Sequence, residues 1–344
     1  MVIKKSFVIS ILMSLPIILI VGMRGGTPDT QIYYRLFLDI NSYPLFSPSD
    51  FYMLSGVEIG FGWYAYVVSL ISDSSFVLFS LFSFLNFIFI YKTTKLTHVK
   101  YHLIFLFYIS SSYFFMQQFM QMRQGLAISI AFFAISHYLV FKRVTYLFAL
   151  MLCASCFHQS AFILFLFSLV FFIFNSSSLF KGKKVIFLCS VMMIFLIVVF
   201  KFLLLDMLIG MSSRLQSYAA SEKFSDPVGI LTLPVIRTVG IFVFVLIMSP
   251  MKLWNDNLFR FMFFMQSVAI STRIGFSDFG ILSGRLSTAF SYAEVFMLPM
   301  VIASRFSSGV ATFICIAVFV LQLVISIGFQ SPYLVDMYFI PLGR

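Results

Sequence analysis

Polar residues in this chain come in short clusters separated by long apolar runs. The runs lie at roughly 7–22, 75–91, 101–116, 124–141, 144–157, 160–174, 185–205, 229–248, 257–274, 286–303 and 309–328, close to the roughly 20 residues of helix that cross a hydrocarbon core. Such continuous runs lack the alternation of a membrane strand, and only helices or closed barrels satisfy every backbone group in lipid. The pattern predicts an all-α, polytopic transmembrane helical bundle of about 11 spans, with about 10 to 12 as the range. It reads as a single integral membrane domain over residues 1–344, with outer loops near 23–56 and 206–228. Runs 144–157 and 160–174 are short and meet around His158 as a tight hairpin. The segment 57–71, with Trp63, Tyr64 and Tyr66, reads as an interfacial or re-entrant helix. Counting it as a span would move the lysines at 92–100 to the opposite side, and a twelve-span arrangement is the alternative.

Composition removes the soluble classes. The 344 residues are 61% hydrophobic and 10% charged, with a mean hydropathy of +1.04, against roughly 25% charge in soluble domains. A net charge of +11 has no basic domain to carry it, so no nucleic-acid partner is expected. The charge is a topology signal instead. Lys4-Lys5, Lys92/Lys95/Lys100, Lys142-Arg143, Lys181/Lys183/Lys184, Lys252 and Arg305 fall in alternate connections, which are cytoplasmic by the positive-inside rule. The first run reads as an uncleaved span, since no small-residue cleavage site follows it. Cys153, Cys156, Cys189 and Cys315 lie inside apolar runs, which argues against a disulfide framework. Cys153-Ala-Ser-Cys156 followed by His158 is a weak metal pattern on a short apolar helix, so no metal and no cofactor is expected.

With the loops assigned, the charges separate by chemistry. Lysines gather inside, whereas Arg24, Arg35, Arg123, Arg214, Arg273, Arg285 and Arg344 fall outside with most of the acids. Outer arginines run against the topological bias, and their planar fork matches phosphate. Pairing with neighbouring acids is the plainer alternative. Arg123 opens the run 124–141 and Arg285 the run 286–303, placing each at an outward helix N-terminus, where free N–H groups favour an anion. His158 is the one histidine of four assigned outside, and a histidine suits general base work near neutral pH. Arg237 and Glu294 each lie about 12 Å deep in their runs and are expected to pair, because an isolated charge at that depth is costly. The loop 206–228, with Arg214, Tyr218, Glu222 and Lys223, could cover a site.

These strings resemble a family. Gln121-Met122-Arg123-Gln124-Gly125-Leu126-Ala127, a following span, a basic turn and then Phe157-His158-Gln159-Ser160-Ala161 are similar to the EpsG branch of Wzy-type O-antigen and exopolysaccharide polymerases. Arg24-Gly-Gly-Thr-Pro-Asp29-Thr-Gln-Ile-Tyr33 resembles that family's first outer segment, Glu58-Ile-Gly60-Phe61 its E-x-G-[FY] element, and Gly284-Arg285-Leu286 its late arginine. Residues 175–280 match in hydropathy alone. The resemblance implies a metal-independent membrane glycosyltransferase of the bacterial inner membrane, with its active face periplasmic. It would move a growing glycan from an undecaprenyl-pyrophosphate carrier onto a lipid-linked repeat unit, with membrane lipid and a separate chain-length regulator as further candidate partners. Arg123 and Arg285 would hold the pyrophosphate, and His158 or a carboxylate, Glu58 or Asp29, would serve the acceptor hydroxyl. Arg24, Asp29, Tyr33, Gln124, Ser160, Arg214 and Arg273 are the expected substrate contacts. A lipid-linked oligosaccharide flippase and an O-antigen ligase are the rival readings; the first is disfavoured because no internal repeat is visible.

Overall fold

The apolar runs fold as helices, and no strand occurs among the described residues, which are 5–177, 180–211, 216, 227–229, 231–330 and 332–342 of a computed structural model. Five helical segments are long and apolar enough to cross a membrane: Lys5–Gly22, Ser75–Thr97, Met122–Phe141, Lys184–Gly210 and Ser308–Gly328. A sixth candidate is a pair, Gly280–Ser291 and Glu294–Arg305, bent by 42° at its break. Tyr101–Ser110, Val144–Phe157, Ser160–Asn175 and Leu233–Met248 are shorter apolar helices. The chain is thus an all-helical, multi-pass membrane protein. Residues 212–215 and 217–226 lie outside the described residues, and with them Arg214, Tyr218, Glu222 and Lys223.

Several boundaries depart from hydropathy for local reasons. The run 101–116 is two helices, Tyr101–Ser110 and Ser112–Phe119, because Ser111 leaves the helical region and its hydroxyl accepts the Phe114 N–H. The run 286–303 begins earlier, at Gly280, and breaks at Tyr292–Ala293. Segment 57–71 contains Ile59–Ser69, an 11-residue helix of about 16 Å, too short to cross the hydrocarbon core. The loop 23–56 is itself ordered, with helices Thr30–Leu38 and Pro48–Ser55.

Helices are numbered here α1 (Lys5–Gly22), α2 (Thr30–Leu38), α3 (Pro48–Ser55), α4 (Ile59–Ser69), α5 (Ser75–Thr97), α6 (Tyr101–Ser110), α7 (Ser112–Phe119), α8 (Met122–Phe141), α9 (Val144–Phe157) and α10 (Ser160–Asn175). They continue as α11 (Lys184–Val199), α12 (Leu205–Met211), α13 (Leu233–Met248), α14 (Met251–Trp254), α15 (Asn257–Gly275), α16 (Gly280–Ser291), α17 (Glu294–Arg305), α18 (Ser308–Ile325) and α19 (Tyr333–Tyr338). Hydropathy alone suggests one membrane domain; the packing groups the chain into two compact units, Met1–Phe165 with Ser308–Arg344, and Leu166–Ser307.

In the first unit α8 is the central helix, buried along most of its length, with α5 and α9 against it, α1 on α5 and α18 on α6. Lipid offers little hydrophobic drive between helices, so small and polar side chains carry the joints. Tyr108 is the hub: its hydroxyl accepts from Asn86 Nδ2 at 3.2 Å and from Gln118 Nε2 at 2.8 Å, and Ser129 donates to Asn86 Oδ1. Ser14 bonds Tyr101 at 2.7 Å and Ser110 donates to Gln322 at 2.9 Å.

In the second unit the central helix is α15, buried at nearly every position although Arg260, Gln266, Arg273 and a set of Ser and Thr residues keep it outside the apolar class. It packs against α11, α13, α16 and α17. Asp256 caps it, its carboxylate accepting from the Leu258 and Phe259 N–H groups at 2.7 and 3.1 Å. Arg237 on α13 donates through Nη2 to Glu294 Oε2 at 2.7 Å, and Gln266 Nε2 donates to Glu294 Oε1 at 2.9 Å.

Candidate functional site

The first unit gathers six of the sequence-predicted residues, Tyr33, Glu58, Arg123, Gln124, His158 and Ser160, at one end of α8. Arg123 is the second residue of that helix, in the first turn, whose backbone N–H groups have no partner within the helix. The placement depends on a sharp α7–α8 turn. Met120 and Gln121 leave the helical region, and the Gln121 N–H returns to the Met116 carbonyl at 2.6 Å. Gly125 permits the turn to close, because a Cβ there would lie 2.5 Å from Gln117 Cβ. The glycine of the Arg-Gln-Gly string thus has a packing role, and Gln124 beside it is buried.

Arg123 Nη1 donates to Glu58 Oε2, and its Nε donates to the Tyr33 hydroxyl at 3.1 Å. Nη2 is left without a partner among the described residues. Glu58 immediately precedes α4. Gly60, two residues on, lets that helix meet the end of α9: a Cβ there would stand 2.6 Å from the Cys156 carbonyl oxygen. Phe61 completes the element by packing on Tyr33, ring centroids 5.0 Å apart. Gly60 and Phe61 of the Glu-x-Gly-Phe string therefore each have a physical task in holding Glu58 between α8 and the α9–α10 hairpin.

His158 occupies that hairpin in an extended conformation between α9 and α10. Its Nδ1 accepts the Ser160 backbone N–H at 3.1 Å and lies 3.0 Å from the Ser160 hydroxyl. A backbone N–H can only donate, so the neutral imidazole carries its proton on Nε2. That nitrogen faces Glu58 Oε1 at 4.0 Å, within Coulomb range and beyond a direct hydrogen bond. This changes the expected chemistry of His158. With Nδ1 occupied and Nε2 protonated, the ring presents a donor, and the neighbouring acceptor is Glu58 Oε1. The three side chains are partly accessible, Arg123 at 13%, Glu58 at 19% and His158 at 22%.

The remaining expected residues fall elsewhere. Arg24 is buried in the first unit, its Nη1 donating to the Gln118 carbonyl and its Nη2 3.3 Å from Met122 Sδ, the residue before Arg123. Asp29 is exposed, with φ of 62°, and stands just before α2. Arg285 and Arg273 belong to the second unit. Arg285 lies mid-way along α16, five residues past its start at Gly280, so the expectation that it opens a helix is corrected and the dipole argument for it lapses. Arg273 sits in the last turn of α15. Arg214 lies outside the described residues. Cys153, Cys156 and His158 form no metal-binding group among the described residues.

Sequence reading had no local signal for the Tyr33 hydroxyl as a partner of Arg123, since 90 residues separate them. Nor did it have one for the Ser160 amide as the group that sets the histidine tautomer, although the His-x-Ser spacing matches an Asx-type local bond.

The chain matches no curated protein and no solved structure. The model of the EpsG family matches residues 7–341, nearly the whole length, and spans every string named above from Arg24 to Arg285. The chain belongs to the EpsG family.

Proposed function

We propose that the protein is a Wzy-type polysaccharide polymerase. It transfers a growing glycan from an undecaprenyl-pyrophosphate carrier onto a lipid-linked repeat unit at the periplasmic face of a bacterial inner membrane. The observation that carries this reading is the cluster of Arg123, Glu58 and His158 at the start of a central helix, in a member of the EpsG family. In the step proposed, an acceptor sugar hydroxyl oxygen attacks the anomeric carbon of the donor glycan. The bond from that carbon to the carrier pyrophosphate breaks, and the pyrophosphate leaves with the electron pair. The hydroxyl proton passes to Glu58 Oε1, and the His158 Nε2–H orients the carboxylate or the acceptor. Arg123, through Nη2 and the start of α8, faces the charge that develops on the leaving pyrophosphate, where preorganised donors are most effective. The lysine distribution supports assigning this end of the first unit to the outer side.

The test is the lipid-linked glycan profile of a deletion strain with and without the intact gene. A polymerase deletion leaves single repeat units on the final acceptor, whereas loss of every unit points to a flippase and polymer retained on the carrier lipid to a ligase. Orientation is checked separately by cysteine labelling in spheroplasts. A cysteine placed in 40–50 should react with an impermeant thiol reagent, and one at 94–99 should react only after permeabilisation; the reverse pattern overturns the assigned face.

A further inference from the structure

Arg24 is 4% exposed, yet no carboxylate pairs with it among the described residues. Its Nη1 donates to the Gln118 carbonyl, its Nη2 lies 3.3 Å from Met122 Sδ, and its guanidinium carbon stands 3.7 Å from the centre of the Phe79 ring. Burial lowers its pKa to about 9, so it remains a cation at neutral pH. A buried cation without a counter-ion is costly. The groups that hold this one lie on the two sides of the α7–α8 turn, the turn that sets the position of Arg123.

Gln118 lies in the last turn of α7, where carbonyls have no partner within the helix and a cation is favoured. Met122 is the first residue of α8. A planar guanidinium carries its two terminal nitrogens in a fixed fork, so one side chain can reach both. Gln118 is held from the other side as well, its Nε2 donating to the Tyr108 hydroxyl at 2.8 Å. The backbone beside Arg24 is equally fixed. The Gly25 and Gly26 amides donate to the Tyr338 and Ile340 carbonyls at 2.9 and 2.7 Å, an approach that a Cβ at Gly25 would block, since it would stand 2.0 Å from the Ile340 oxygen. The Tyr338 hydroxyl donates to the Ile20 carbonyl at 2.9 Å, and its ring meets Phe119 edge-on, 6.1 Å between centroids. The segment around α19 thus braces both the arginine loop and the end of α7. Further along the same stretch as Arg24, Tyr33 bonds Arg123 itself.

We infer that Arg24 is a positioning residue: it clamps the α7–α8 turn so that Arg123, the residue after Met122, meets Glu58 and Tyr33. This rests on the polymerase reading above and gives Arg24 a role different from the substrate contact that the family resemblance implies. The clamp acts through Arg123 and touches neither glycan nor carrier. Met120 and Gln121 leave the helical region between its two anchor points, so the start of α8 is free to shift once the bridge is gone. A displacement of about 1 Å at a reacting group is enough to cost about 10²-fold in rate.

The test is kinetic, on the purified full-length protein in detergent with a lipid-linked repeat unit as substrate. Arg24→Met keeps the length of the side chain and removes the charge, a change that is often neutral or stabilising at a buried site. It should lower kcat by roughly 10- to 100-fold with KM unchanged, and Arg24→Lys should restore only part of the loss because an ammonium lacks the fork. In an Arg123→Ala background the same Arg24→Met should cost less than about twofold, since the clamp then has no guanidinium to aim. Met122→Leu conserves volume and removes the sulfur; it should lower kcat by a smaller factor, and should Arg24→Met fail to fold, an unchanged kcat in Met122→Leu overturns the clamp. A raised KM at unchanged kcat, which marks a substrate contact, also overturns it, as does an equal cost with and without Arg123. Hydrogen exchange separates this inference from the polymerase reading. The Gln121 amide, bonded to the Met116 carbonyl, should exchange faster in Arg24→Met, and unchanged exchange removes the clamp. A parent protein that makes no polymer removes the enzymatic reading and leaves the exchange result to decide the clamp; an active parent with a fully active Arg24→Met removes the clamp alone.

Discussion

Each compact unit contains an arginine–glutamate pair, and the two pairs are built for different work. In the second unit Glu294 is 2% exposed, holds Arg237 at 2.7 Å and takes a further bond from Gln266. Both of its oxygens are satisfied by the protein, as a buried charge requires. In the first unit Glu58 is 19% exposed and, among the described residues, its second oxygen faces a histidine 4.0 Å away while one nitrogen of Arg123 has no partner. A closed pair stabilises the bundle around it; an open pair leaves donors and an acceptor for something else. The same two residue types give both, and the difference lies in how completely the neighbours use their hydrogen-bonding capacity.

The largest effect should come from opening the closed pair. Arg237→Ala strands the Glu294 carboxylate inside the second unit and should cost about 3–5 kcal/mol, read as a lower thermal midpoint in detergent, whereas Glu294→Gln should cost clearly less because Arg237 is partly accessible. Equal losses would show that the carboxylate is not the demanding partner. Next, Arg123→Ala should reduce polymer synthesis by about 10²- to 10³-fold with a thermal midpoint near the parent's. Arg123→Lys should be nearly as damaging, since the charge survives and the fork does not. A large stability loss in Arg123→Ala would erase the contrast between the pairs. For His158 the tautomer separates two roles: a donor is partly replaced by the amide of His158→Gln, which should retain well over the activity of His158→Ala, whereas a base would lose about 10²–10⁴-fold in both. In vitro polymer length and rate in the two variants decide it. The smallest effect is expected at Gly60→Ala, where the new methyl meets the Cys156 carbonyl. Overpacking of about 1–3 kcal/mol should lower the midpoint modestly and reduce activity by displacing Glu58 from Arg123.

Helix content, the membrane setting and the family were legible in the sequence because they rest on quantities a linear chain carries: run length against bilayer thickness, the siting of lysines, and short strings in fixed order. Arg123 at a helix start was legible for the same reason, since its run begins beside it. Arg285 was not, because the helix containing it starts with Gly280, Ser283 and Gly284, residues that hydropathy reads as loop. The break at Ser111 was equally hidden: a serine that caps in one context packs inside a helix in another.

Depth along separate runs could bring Arg237 and Glu294 to a common level and no further; that they touch depends on how α13 and α17 lie against α15. Sequence by itself determined that the chain is helical, where its apolar segments fall, which family it joins and which charged residues stand near helix ends, because each follows from local composition and spacing. Only the tertiary structure decided that Glu58 reaches Arg123 across 65 residues, that a backbone amide fixes the proton on His158 Nε2, and that the Gly25 and Gly26 amides meet the Tyr338 and Ile340 carbonyls. Those are matters of which groups end up within 3 to 4 Å of one another, and a one-dimensional pattern contains no distance between residues that the chain brings together only by folding.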